Sequence, residues 1–225
     1  MQPALSDYRI DFESSDLLAE PGPEEYPLRI HGEIVYLGDR AKADLGLHET
    51  SVGCISAFQF HACETWDRRA SASDMFKAVS PDAEECYAAL FDGNELNQDM
   101  IDDQFEGDVF SCNVLFLAGI GILPAHRGRG LGLAVARRTI LRFAPKAGLV
   151  AMLPFPAPST QTKNSDREIE ERLLDQNPNR NQGRLENYYR RLGFERIGSS
   201  RVFALNTARR LPPLRELCPE LVNAS

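Results

Sequence analysis

The residues with the clearest chemistry lie in one stretch, Gly119-Ile120-Gly121-Ile122-Leu123-Pro124-Ala125-His126-Arg127-Gly128-Arg129-Gly130-Leu131-Gly132. Gly128, Gly130 and Gly132 alternate ahead of an amphipathic run. Main-chain N–H groups are therefore left uncovered by Cβ atoms at a helix start, where the helix dipole is positive. Such a turn suits a phosphate. Arg127 and Arg129 add charge-assisted donors, each worth about 1.5–3 kcal/mol when well placed. Residues 124–150 carry Arg127, Arg129, Arg137, Arg138, Arg142 and Lys146 and no acid, inside a chain of net charge -8. A P-loop needs Gly-Lys-Ser/Thr and a dinucleotide turn needs G-x-G-x-x-G. Neither is present, because the third glycine position falls on Leu133 or Val135. What fits is R-x-x-G-x-G, as Arg127, Gly130 and Gly132.

Such a turn needs a strand before it and a helix after it. Residues 109–123 read as a long buried strand stopped by Pro124. Leu133, Ala136, Ile140 and Phe143 then fall on one helical face, with Arg138 and Arg142 on another. Residues 149–153 read as a second strand, so 109–153 form a strand–helix–strand unit and the sheet is at least partly parallel. Upstream, 28–37 and 51–62 read as two strands that could form a hairpin across the turn residues 38–45. Residues 71–104 turn helical, with Pro81 and Asp82 opening one helix and a second running over 95–103. Downstream, 156–183 is a polar insertion. In it Ser165 and Glu168 form a capping box ahead of a helix reaching about Asp175, and Asn177, Pro178, Asn179 and Asn181 break the chain. Residues 184–192 are helical by pattern, Gly193 ends that helix, and 194–205 return as strand or hairpin.

The expected architecture is α/β: a single domain with a mixed, partly parallel sheet flanked by helices. It divides into an acidic lead-in arm (1–26), the main domain (27–205) and a C-terminal tail (206–225), of which 211–221 is a candidate pairing surface. The chain has 225 residues, 43% hydrophobic and 26% charged, which excludes collagen, mucin-like stalks and wholesale disorder. With 25 basic against 33 acidic residues, bulk binding to nucleic acid or anionic lipid is disfavoured. An RNA-contacting role for the Arg-Gly turn also lacks interleaved aromatics. The longest apolar run, Val114 to Leu123, is half of the roughly 20 residues a membrane span needs. No secretory signal is visible at the N-terminus, so the expectation is a cytoplasmic protein. Cys54, Cys63, Cys86, Cys112 and Cys218 include no C-x-x-C pair, and His31, His48, His61 and His126 lack ligand spacing. Reduced thiols and no metal are expected.

The R-x-x-G-x-G turn between strand and helix resembles the acetyl-CoA pyrophosphate loop of the GCN5-related N-acetyltransferase superfamily. A second match follows in Tyr188-Tyr189-Arg190-Arg191-Leu192-Gly193-Phe194-Glu195, similar to that family's Y-x-x-x-G-F segment. The resemblance covers roughly 109–205. The insertion 156–183 departs from it, and the family's frequent Asn seven positions before the Tyr is Gln182 here.

The resemblance implies transfer of an acetyl group from acetyl-CoA to an amine by direct attack in a ternary complex, with no metal. Ile120, Gly121 and Ile122 would pair with the pantetheine arm like an added strand. Arg127, Gly128, Arg129, Gly130, Leu131, Gly132 and Leu133 would hold the pyrophosphate. A strand N–H near Ile122 would polarise the thioester carbonyl. Tyr189 occupies the position that protonates the departing thiolate, and Tyr188 reads as packing. Residues 111–123 hold no carboxylate, which leaves Glu106 and Asp108 as weak candidates for the base. Residues 82–108 carry ten acids and no Lys or Arg. If they rim the acceptor cleft, they draw in a cationic small amine or peptide. The alternative is a catalytically idle acyl-CoA-binding or regulatory module, which keeps the turn without depending on Tyr189.

Overall fold

In the computed structural model, which describes residues 3–15, 27–38, 49–63, 71–154 and 178–222, the elements follow in chain order. They are β1 (Tyr8–Ser15), β2 (Leu28–Tyr36), β3 (Thr50–Phe60), α1 (Ala72–Val79), α2 (Pro81–Leu90), β4 (Phe91–Asp92), β5 (Glu95–Leu96) and α3 (Gln98–Gln104). The second half continues with β6 (Val114–Ile122), α4 (Leu131–Phe143), β7 (Leu149–Met152), α5 (Pro178–Arg190), β8 (Glu195–Arg196), β9 (Phe203–Asn206), α6 (Leu214–Leu217) and α7 (Pro219–Val222). Seven strands make one mixed, largely antiparallel sheet in the order β1-β2-β3-β6-β7-β9-β8, and β4 and β5 pair separately. The parallel pair is β6 with β7, joined by α4, since parallel neighbours require a crossover.

Local chemistry sets the helix starts. Ser71 Oγ accepts the Asp74 N–H at 3.1 Å and Ser80 Oγ the Ala83 N–H at 3.1 Å. Asn97 Oδ1 accepts the Met100 N–H at 3.0 Å. Apolar residues cover one sheet face and part of the other. Ile30, Ile55, Leu115, Leu117, Val150 and Phe203 pack with α4, Tyr189 of α5, and Leu217 and Leu221 from the C-terminal helices. Phe60, Val114, Phe116, Leu149 and Ala151 pack with Phe76, Cys86 and Ile101 of α1–α3 on the other face. The strand–helix–strand unit, the buried face Leu133–Ala136–Ile140 of α4 and the β2–β3 pairing are as the sequence implies.

Several boundaries differ. β6 begins at Val114, not at residue 109, because the approach is tied locally: Asn113 N–H donates to Ser111 Oγ at 3.2 Å and Cys63 N–H to Asn113 Oδ1 at 3.0 Å. Residues 8–15 are not a lead-in arm but an edge strand, paired with β2 from Tyr8↔Tyr36 to Ser15↔Arg29. The short run Tyr8-Arg9-Ile10-Asp11-Phe12 alternates like a strand, a signal masked by the acidic composition around it. Pro178, Asn179 and Asn181 do not break the chain but open α5, with proline at the first helical position where its missing N–H costs nothing. Within the C-terminal tail, Leu217, Cys218 and Leu221 are buried in the domain core and so are taken up inside the chain itself. Cys63 and Cys112 form a disulfide, while Cys54, Cys86 and Cys218 are in none. This corrects the expectation of reduced thiols, because the strand register brings the two cysteines together across the sheet's end. The Ser165–Asp175 helix, most of the 156–183 insertion and the turn at 39–45 lie outside the described residues. No helix among the described residues is long and apolar enough to cross a membrane.

Candidate functional site: a forked sheet and a glycine turn

β6 pairs with β7 only over Val114–Leu117, although it continues to Ile122. Its other edge stays paired with β3 up to Ile122↔Gly53, with a bulge at Ala118 between Ala57↔Leu117 and Ser56↔Gly119. Beyond Leu117, no described residue pairs with the β7 side of β6, which among the described residues is an open edge inside the sheet. Ala118 and Gly119 are exposed there and Ile120 and Gly121 half-buried.

The fork ends at the turn. Pro124–His126 make a single 3-10 turn, and Gly130 caps α4 from the left-handed region at φ 87 with no side-chain cap. Gly128 is left-handed too, at φ 86. Among the described residues, the backbone amides of Gly128, Arg129, Gly130 and Leu131 make no hydrogen bond. Four donors at a helix start are thus left to solvent or to an anion. Arg127 Nε donates to Ile122 O at 2.6 Å, which ties the turn to the end of β6. Arg129 reaches Pro3 O at 3.5 Å and Tyr8 Oη at 3.4 Å. Tyr8 Oη is hydrogen-bonded to His126 Nδ1 at 2.9 Å. Burial, and then Arg129, pushes the His126 imidazole below its ordinary value, which favours the neutral ring.

Tyr188 and Tyr189 take different places. The Tyr188 hydroxyl accepts the Leu133 N–H at 3.0 Å, inside the first turn of α4. This corrects its reading as packing alone. A Cβ on Gly132 would lie 3.0 Å from that hydroxyl, so the last motif glycine makes room for Tyr188. Tyr189 is 6% exposed and shares a cluster with Leu117, Ile122, Leu133 and Met152, the residues that frame the fork. Its ring lies edge-on to Phe194 at 6.2 Å and to Tyr188 at 5.4 Å. Burial, and then Tyr188, pushes its phenol well above the ordinary range. Arg191 donates to Leu217 O and Arg137 Nε to Pro212 O at 2.8 Å, holding the C-terminal segment against the turn. Sequence alone gave no sign of Leu217 or Cys218 at the site, and Tyr188 showed only as the neighbour of a motif residue.

The fold therefore brings Ile120–Ile122, Arg127–Leu133 and Tyr189 to one end of the sheet. It does not bring Glu106 or Asp108. Asp108 O accepts from Asn206 Nδ2 at 3.3 Å, and Asn206 pairs with Leu149, level with Val114. Five residue steps, about 16 Å, separate Val114 from Gly119. Asp102, Asp103 and Glu106 line an open depression with Glu195 and Arg209 at that far end. Among the described residues no group of His, Cys, Asp and Glu side chains is arranged to hold a metal ion. No protein-family model, curated protein or solved structure matches the chain.

Proposed function

We propose that this protein is an acetyl-CoA-dependent N-acyltransferase resembling the GCN5-related N-acetyltransferases. One observation carries the reading: β6 outruns β7 and, among the described residues, delivers an unpaired strand edge directly into a turn with four uncapped amides. The residues fit the donor. The amides of Gly128–Leu131, with Arg127 and Arg129, suit a diphosphate, and the open edge of residues 118–122 suits the amide groups of a pantetheine arm. The donor supplies an activated acyl group. With the diphosphate at the turn, an arm laid along β6 would bring its reactive end towards the fork at Ala118–Gly119. A strand N–H along residues 118–122, such as the one near Ile122, would polarise the carbonyl. Tyr189 is the proton source for the departing thiolate, and proximity of amine and thioester supplies the rest. The acceptor is a cationic small amine or peptide terminus, and the protein is read as cytoplasmic.

The idle acyl-CoA-binding module remains the second reading, favoured by the distance of the candidate bases Glu106 and Asp108 from the fork. Calorimetry with CoA tests the donor site: saturable binding is expected, and no uptake sinks the proposal. Thiol release from acetyl-CoA over a panel of primary amines separates the enzyme from the idle module.

A further inference from the structure

Strand register lays a polar row across the sheet at the level of the fork. Glu13 of β1 opposes His31 of β2, His31 opposes Ser56 of β3, and Ser56 opposes Gly119 of β6. The adjacent row is Asp11, Glu33, Cys54 and Gly121. Residues directly opposed on antiparallel strands share a face. Along β3 this face runs from Phe60 and Phe58, packed with the α1–α3 layer, to Ser56 and Cys54. The other face, with Ile30, Ile34 and Ile55, is the one under α4.

Among the described residues the face is open at Gly119, where an added Cβ meets no atom within 4 Å. His31 and Ser56 are half-buried, whereas Glu13 and Glu33 are exposed. A sheet face normally carries apolar residues where it packs; a histidine, a serine and carboxylates here mark a surface kept for a polar occupant. Resting on the acyltransferase reading, we propose that this face is the acceptor site and that His31 is the general base.

Two strand spacings, about 10 Å, separate the His31 and Gly119 backbones, so an amine nitrogen above Ser56 lies between the imidazole and an acyl carbon at the fork. The charged groups sharing the face are Arg29 and Glu33 on β2 with Arg9, Asp11 and Glu13 on β1, while β3 offers the uncharged Ser56 and Cys54. Asp11 is already paired with Arg9 at 2.8 Å, which leaves Glu13 and Glu33 to attract a cationic amine. The amine arrives as an ammonium ion. His31 takes one proton, the nitrogen bonds to the carbonyl carbon, and the carbon–sulfur bond breaks. The thiolate leaves with the bonding pair and takes its proton from Tyr189, which recovers the second nitrogen proton, giving amide, thiol and protonated His31.

The test compares wild type with His31→Gln, both checked by thermal melting, with His31→Asn as a second variant should Gln melt early. CoA affinity is measured by calorimetry. Thiol release from acetyl-CoA is followed with spermidine and Nα-acetyl-lysine amide between pH 6 and 9. The His31 ring resonance, identified by its loss in the variant, is followed as spermidine is added to CoA-loaded protein. Expected are CoA affinity within twofold of wild type, a kcat/KM lower by about 100-fold, loss of the acid limb of the pH profile, and a moving His31 resonance. A variant within threefold of wild type with its acid limb intact overturns the proposal. So does a wild type that binds CoA, releases no thiol and shows no movement at His31, with the donor-site reading left standing. Wild type that fails to bind CoA removes that reading itself.

Discussion

Gly130 and Cys218 lie in direct contact: a Cβ on Gly130 would stand 2.8 Å from Cys218 Cβ and 2.9 Å from Leu217 O. The second motif glycine is therefore fixed by the chain's own C-terminal segment as well as by any ligand. Gly132 is fixed by Tyr188. Gly128 alone of the three has no atom within 4 Å of its added Cβ.

Gly130→Ala should cost more than 3 kcal/mol, because left-handed strain of about 1–2 kcal/mol adds to a collision with a backbone carbonyl. Gly128→Ala should cost only the strain. Urea unfolding of the two variants checks this, and equal losses would deny the Cys218 contact. Gly128 is accordingly the cleaner position for probing donor affinity without disturbing the fold.

Tyr189 should give the protein an alkaline weakness. Its folded-state phenol is raised by burial, so above the unfolded value of about 10 the native state holds more protons than the unfolded one. Stability is full below that pH and falls as pH rises through it. Tyr188 and the buried Cys86 are raised as well and share the effect. Melting curves from pH 8 to 11 should show a shallower alkaline decline for Tyr189→Phe than for wild type. The same variant should lower turnover at least tenfold with CoA affinity unchanged; full turnover would take Tyr189 out of the chemistry.

The Cys63–Cys112 bridge closes a loop with a sequence separation of 49. Titration of the unfolded, unreduced chain should find three thiols, from Cys54, Cys86 and Cys218. Reduction should lower the unfolding free energy by about 2–4 kcal/mol, and a count of five thiols would exclude the bridge.

The central unit was legible because its signals are local. The apolar run into Pro124, the glycine spacing and the α4 periodicity all lie within a few residues of what they specify. The fork was not legible, since it depends on β7 stopping at Met152 while β6 continues, a mismatch between two strands joined through a helix. Tyr188 on Leu133 and Cys218 on Gly130 are tertiary contacts with no periodic trace. The row from Glu13 to Gly119 lay half in view: Arg29-Ile30-His31-Gly32-Glu33 alternates plainly, yet which polar residue meets which is a matter of register. The edge strand β1 was hidden by composition, because acids on its solvent side resemble a disordered lead-in.

A strand edge that no described residue pairs, in the middle of a sheet, is also a hazard. Outer strands can be guarded with lysine or proline, but a guard at residues 118–122 would obstruct whatever the edge is meant to receive. The sequence there, Ala-Gly-Ile-Gly-Ile, alternates glycine with isoleucine, and glycine's weak strand preference makes it a poor template for a second copy. Resistance to self-association and openness to a guest thus come from the same two glycines, and replacing either with valine should trade one for aggregation at high concentration.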